Sequence, residues 1–321
     1  MTDGTDSTNS DLEEESEPDG EGKTFDPIPA AGIVALFSLS VIGGVALVGP
    51  FEAAGYQAFE NPGSLSNVGI IVVEVVVATA VLLVAFRYDL GERLAKVLVL
   101  AAMAYLLAFP LALFLPTTVP SPLLVAGGIS AAFGIVVWLF PEWYVINLAG
   151  VAFGATAIGM FGISLTPLTV LALLVVMAAY DAYSVYVSEH MQSLGSGVVD
   201  LKLPMVFIVP TTRSFSLRET DDLAELGANA MLLGVGDAVF PGLLAGSAAT
   251  FVEAPAVVAG LNAPALGALV GALVGMALLE VLLFTVRRTH AGLPVLNACV
   301  MTGYLLGALA AGVPLEVAVG L

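Results

Sequence analysis

The sequence predicts an all-α, polytopic membrane protein: nine transmembrane helices, with a cytoplasmic N-terminus and an extracellular C-terminus. Three observations predict it. First, 59% of the 321 residues are hydrophobic and only 11% charged, against about 25% charged in soluble domains, so lipid solvates most of the chain. Second, nine apolar runs of roughly twenty residues can be placed along it. Third, every Lys and Arg falls on one side of the topology that those runs define.

Residues 1–27 form the first segment. Ten of the 27 acids lie between Asp3 and Asp26, with Lys23 the only base there. Such a Ser, Gly, Asp and Glu-rich stretch cannot bury a core and is expected to be a disordered acidic tail. It lacks the basic start and short apolar core of a cleavable signal peptide. The membrane domain, 28–321, then places its spans at 28–48, 66–86, 94–115, 122–140, 144–163, 165–189, 228–251, 257–286 and 294–312. Only Pro141-Glu142-Trp143 divides the fourth from the fifth, and only residues 162–167 divide the fifth from the sixth. Helices are expected throughout, because lipid offers backbone groups no partners.

Basic residues bias loops toward the cytoplasm. Lys23 precedes the first span; Arg87, Arg93 and Lys96 separate the second from the third. Lys202, Arg213 and Arg218 separate the sixth from the seventh; Arg287 and Arg288 follow the eighth. All nine lie on one side, and a miscount of one span would scatter them. No internal repeat is evident. Glycines such as Gly267 and Gly271 suit close helix packing. The lone Cys299 excludes an internal disulfide. Few lysines among abundant Ala, Val, Gly, Asp and Glu resemble the composition of salt-loving archaeal proteins.

Four acids interrupt the spans: Glu74, Asp181, Asp237 and Glu280. A charge at bilayer depth costs at least about 2.5 kcal/mol, so such residues are rare and usually functional. Two of them match in depth. Asp181 lies eight residues before the inner end of the sixth span, and Asp237 nine residues after the start of the seventh. Both are expected about 12–14 Å from the cytoplasmic face. Glu280 is about 9 Å from its inner end and can reach the interface with its stem, whereas Glu74 is about 18 Å deep. Two carboxyls brought together in a low dielectric cannot both ionise easily; they share a proton and titrate as a pair. Such a pair can activate water as base and protonate a carbonyl or leaving amine as acid. Gly234 and Gly236 would let another backbone approach Asp237, and Pro241, four residues on, should distort that helix.

The inner loop, 190–227, is long for a bundle connection, and such loops are often functional. Its run 201–210, rich in β-formers, is either an extended edge open to a peptide strand or a loop packed against the bundle. Neither His190 nor His290 belongs to the His-Glu-x-x-His motif of a metalloprotease. Ser247, the best serine candidate, lies in the outer half of its span, away from both histidines. A cation- or proton-coupled transporter using Glu74, Asp181, Asp237 and Glu280 is the alternative, since transporters also bury acids near broken helices.

Tyr180-Asp181 in a sixth span, Gly234-Val235-Gly236-Asp237 in a seventh and Leu293-Pro294 opening a ninth resemble the presenilin and signal peptide peptidase family, most closely its archaeal presenilin homologues. The resemblance covers all nine spans. It implies an intramembrane aspartyl protease with Asp181 and Asp237 as catalytic dyad, Tyr180 as neighbour of the first acid, and no metal or other cofactor. It also implies transmembrane peptides or membrane proteins as substrates within the bilayer, and no nucleic acid partner. The family's third motif is Pro-Ala-Leu-Pro; here the stretch reads Ala291-Gly292-Leu293-Pro294, so its first two residues differ. A literal Pro264-Ala265-Leu266 lies near the outer end of the eighth span, far from the dyad. In the family, an unwound substrate pairs as a strand with the loop before the seventh helix and with the Leu-Pro segment; 201–210 resembles the first of these partners. No sequence feature decides whether accessory subunits are needed.

Overall fold

Proline opens several of the helices, at a position where a missing N–H leaves nothing unsatisfied. Pro27 begins α1 (Pro27–Ala54), Pro122 begins α4 (Pro122–Leu139) and Pro167 begins α6 (Pro167–Tyr186). Between them run α2 (Ser66–Phe86), α3 (Asp89–Phe114) and α5 (Trp143–Gly162). The computed structural model describes residues 27–86, 89–186, 201–220, 223–286 and 291–320. The acidic tail, Lys23, Arg87, Arg287, Arg288, His190, His290 and part of the long inner loop lie outside them.

After α6 the chain departs from an unbroken helical pattern. Strand β1 (Val206–Pro210) is followed by a short helix, α7 (Leu223–Asn229), and by β2 (Ala230–Gly234). Only then does α8 (Val235–Phe251) begin. The strands pair antiparallel, with Val206 opposite Gly234 and Pro210 opposite Ala230. The helix of the seventh expected span, α8, therefore starts at Val235 rather than near residue 228. Met231, Leu232 and Leu233 fit helix and strand alike, and pairing with β1 decides for strand. A second correction falls at the other end of α8. Residues 256–262 form a hairpin, β3 (Ala256–Val258) with β4 (Leu261–Asn262). Its turn residues Ala259 and Gly260 both have positive φ, at 49° and 82°, as a tight hairpin turn requires. Helix α9 (Ala263–Val286) starts after it, followed by α10 (Gly292–Ala310) and a last turn, α11 (Leu315–Ala318).

Eight of these helices, α1 to α6, α9 and α10, are long and apolar enough to cross a membrane. Helix α8 is apolar but has 17 residues, about 26 Å of rise, and β2 extends its path at one end. The main core joins α1, α6, α8, α9 and α10 through Phe37, Leu173, Leu244, Met276 and Leu296, and takes in Phe207 of β1 and Leu233 of β2. Helices α3 and α4 pack at its flank.

Glycine sets how closely the helices approach. Side chains at Gly267, Gly271 and Gly303 would strike backbone of the facing helix across the α9–α10 contact, which is small-residue packing in lipid. A side chain at Gly44 of α1 would collide with Ile158 of α5, and a Cβ at Gly162 of α5 would lie 3.0 Å from Cα of Gly246 in α8.

The two ends of the bundle differ. At one, Glu142 between α4 and α5 accepts hydrogen bonds from Ser216 Oγ (3.0 Å) and the Leu217 N–H (3.2 Å). Lys96 and Arg218 stack there on Trp138 and Phe140 at the end of α4. At the other, the Ala58 N–H donates to Ser164 Oγ (2.7 Å) and the Thr166 N–H to the Pro62 carbonyl (3.1 Å). No base among the described residues lies at this second end, where Glu52, Glu60 and Glu253 sit.

Candidate active site

A helix leaves its first backbone N–H groups without internal partners. Two helix starts and two aspartates meet that need in this bundle. Asp181, on α6 and 8% exposed, accepts the Leu293 N–H at 3.0 Å and also interacts with the Gly292 N–H. Those are first-turn donors of α10, whose N-cap residue, Ala291, has no capping side chain. Asp181 thus caps α10 from another helix, where the positive end of the dipole favours a carboxylate. Pro294 has no N–H to leave unsatisfied.

Asp237 solves the same problem within its own helix. Gly234 is the N-cap of α8, extended at φ −62° and ψ 136°, and Asp237 is the third helical residue. Its carboxyl turns back to the Gly234 N–H, the reciprocal half of a capping box. A Cβ on Gly234 would lie 3.2 Å from Asp237 Oδ2, so this position keeps the carboxyl where it is by having no side chain. Gly236 differs: it is exposed, and a Cβ there would meet nothing closer than Phe240 Cε2 at 3.8 Å. The backbone beside Asp237 is therefore open on that side. Val235 fills the slot left by Gly150 and Gly154 on α5, and its N–H donates to the Met205 carbonyl at 2.9 Å. Pro241 does not break α8, but the carbonyl of Asp237, four residues earlier, lacks its helical donor.

The two aspartates lie close enough for their charges to interact, on helices that pack in one core. Their setting differs from a midpoint on two continuous helices, because Asp237 lies in the first turn of α8, directly after a strand. Glu74 and Glu280 do not join them by hydrogen bonds. Glu74 is exposed on α2, and Glu280 is buried on α9 with Oε2 lacking a partner. Ser247 is buried and donates to the Leu165 carbonyl at 2.6 Å, a helix-packing role. Pro264 lies beside Gly307, at the opposite end of the α9–α10 pair from Leu293. Among the described residues no three His, Cys, Asp or Glu side chains converge as a metal site.

Tyr180 is half-buried against the core, and its hydroxyl makes no hydrogen bond among the described residues. The tyrosine that reaches the Leu-Pro segment is Tyr186, whose hydroxyl accepts the Ala291 N–H at 3.4 Å. Asn297, one turn into α10, donates to the Leu174 carbonyl at 2.8 Å. Asn147 of α5 was equally unmarked in the sequence. Its side chain donates to the Ile208 carbonyl (2.7 Å) and accepts the Ile208 N–H (2.8 Å). At Ile208, strand β1 is therefore engaged on both sides, by β2 on one and by Asn147 on the other. Of the two readings of 201–210, open edge or packed segment, β1 is packed at Ile208, while the outer side of β2 carries no strand among the described residues. That edge ends at Gly234, three residues from Asp237.

Residues 34–313 match the family described as signal-peptide peptidase, presenilin aspartyl protease. The chain belongs to that family. It is also similar to two solved structures of a presenilin family intramembrane aspartate protease, in space groups C222 and P2. TM-scores are 0.62 and 0.63, with 32% and 31% identity, over 88% of this chain and 100% and 99% of theirs. A comparison with curated protein sequences gives no match. The presenilin and signal-peptide peptidase relationship makes the chain a multi-pass integral membrane protein of the aspartyl protease class and gives the transporter reading no support. The altered Ala291-Gly292 pair leaves the Leu293 contact to Asp181 in place, because that contact uses a main-chain donor rather than a side chain.

Proposed function

We propose that this presenilin-family protein is an intramembrane aspartyl endopeptidase of the Gly-x-Gly-Asp type, with Asp181 and Asp237 as its catalytic carboxyls. One observation carries the reading: Asp181 caps the start of α10 and the Asp237 carboxyl folds back on Gly234 at the start of α8, two helix starts that share one core with α6. Two such carboxyls share one proton. The ionised member takes a proton from water as the water oxygen bonds to the scissile carbonyl carbon, and the protonated member gives its proton to the carbonyl oxygen. The tetrahedral diol then collapses. The C–N bond breaks, the nitrogen receives a proton from one carboxyl, and a hydroxyl proton returns to the other. The products are a carboxylic acid and an amine.

Substrates are transmembrane segments of membrane proteins. The open edge of β2 supports this reading: an unwound segment added there as a strand makes main-chain hydrogen bonds and arrives beside Asp237. Lack of a side chain at Gly236 leaves room for it. In this reading α8 completes nine spans, with the N-terminus cytoplasmic and the C-terminus outside the plasma membrane. The base-free end of the bundle supports that orientation, and the acidic, lysine-poor composition supports a salt-loving archaeal source.

Incubation of the purified protein with a single-span peptide, with and without a transition-state inhibitor of aspartyl proteases, tests this by product mass. Asp181→Ala and Asp237→Ala should each abolish inhibitor-sensitive cleavage, because one carboxyl cannot fill both proton-transfer roles. Cleavage at the wild-type rate by either variant refutes the assignment.

A further inference from the structure

Away from the aspartates, α3 and α4 enclose a membrane-facing groove of 310 Å³, lined by Val97, Leu100, Ala104, Ala131, Gly134 and Trp138 among others. Small side chains make it: Ala101 and Ala131 are exposed, and a Cβ on Gly134 would come within 4.0 Å of Ala104 Cβ. The groove is apolar, and one end of it is basic. Lys96 Nζ stands 5.0 Å from the centre of the Trp138 ring, the same ring that lines the groove. Lys202 is close enough to Lys96 for their charges to repel. Its ammonium donates to the Arg218 carbonyl at 2.8 Å, and the Arg218 guanidinium lies 5.8 Å from the Phe140 ring centre. Arg93 is one turn before Lys96 on α3. Among the described residues none of these four cations is paired with a carboxylate.

We propose that this groove binds one anionic phospholipid, an acyl chain lying between α3 and α4 and the phosphate meeting Lys96 and Lys202. The groove alone selects nothing, because bulk lipid is as apolar as its walls. Selection comes from the mouth. Two like charges converge there, and an anion relieves their repulsion as well as attracting each. Trp138 marks the depth at which head groups lie, since indole rings favour the membrane interface. An apolar slot that runs into converging ammonium groups beside an interfacial tryptophan matches a phospholipid end to end. Neither a free anion nor an uncharged lipid uses both parts.

Native mass spectrometry tests this on the full chain, after equilibration with equimolar phosphatidylglycerol and phosphatidylcholine of identical acyl chains. Wild type should retain phosphatidylglycerol over phosphatidylcholine by roughly tenfold, the scale expected for a few clustered cations at a membrane surface. The double variant Lys96→Gln/Lys202→Gln should lose that preference. Ala131→Leu, at an exposed lining position where the fold tolerates bulk, should reduce retention of phosphatidylglycerol with the charges intact. Equal retention of the two lipids by wild type overturns the proposal, as does undiminished preference in the double variant. Retention unchanged by Ala131→Leu overturns the acyl-chain placement. Lys202→Gln alone, at a half-buried loop position, provides the charge test if the double variant unfolds.

Discussion

Two glycines flank Val235, and they do different things. At Gly234 a Cβ would press on the Asp237 carboxyl at 3.2 Å, whereas at Gly236 it would find open space. Catalytic geometry is sensitive to displacements well under a bond length, and about 1 Å of misplacement can cost on the order of a hundredfold in rate. Gly234→Ala is therefore expected to lower kcat roughly tenfold to a hundredfold. The fold should survive, because only the carboxyl has to move. Gly236→Ala is expected to leave thermal stability unchanged or slightly higher, since alanine suits a helix better than glycine. Its effect should fall on KM, because the methyl group projects into the space proposed for substrate. Steady-state kinetics on both variants separates the two roles, and an equal kcat loss in both would show that Gly236 also positions the acid.

At the scale of elements, the strand pair ahead of α8 decides how the site is built, and it was only partly legible beforehand. The spacing of Tyr180-Asp181 and Gly234-Val235-Gly236-Asp237 marked the acids directly, because charge within an apolar run has few innocent explanations. The strand propensity of 201–210 was visible too. The break of the seventh span's helix at Gly234 was not, since Met231-Leu232-Leu233 suits either conformation and its partners Val209, Ile208 and Phe207, far back in the chain, resolve it. Asn147 was invisible for the same reason: an amide in an apolar helix shows nothing of the strand that it meets. Its two hydrogen bonds occupy the outer side of β1 at Ile208, whereas the outer side of β2 carries no strand among the described residues. In Asn147→Leu the buried N–H and C=O of Ile208 lose their partners, at about 1–3 kcal/mol for each group left unsatisfied. The variant should unfold at lower temperature. If β1 shifts along β2, substrate register shifts with it, so the product masses should spread over neighbouring bonds. Loss of stability with a single unchanged cut site would confine Asn147 to a structural role.

Across the whole molecule, the carboxyls hang from separate supports. Asp181 is tied to the start of α10, which the glycine contacts lock against α9; Asp237 is tied to the β2–α8 junction, which Val235 seats in α5. The packing of α6, α8 and α10 sets how closely the acids approach, and with it how strongly the proposed pair would share a proton. This coupling fixes the sign of the pH response. In the proposed mechanism, low pH protonates both carboxyls and leaves no base to activate water, so the rate is expected to fall as pH drops. At high pH both are ionised and no acid remains for the carbonyl oxygen, so the rate falls again as pH rises. Between the two macroscopic steps of the pair one proton is held and the reaction runs, so kcat/KM should trace a bell. The fall on either side must occur in folded protein, so tryptophan fluorescence of Trp138 and Trp143 should stay constant across the same range. A rate that stays flat through the acidic range while fluorescence holds would mean that hydrolysis does not use a shared proton. A fall in rate that tracks the fluorescence would instead mean that unfolding sets the limb.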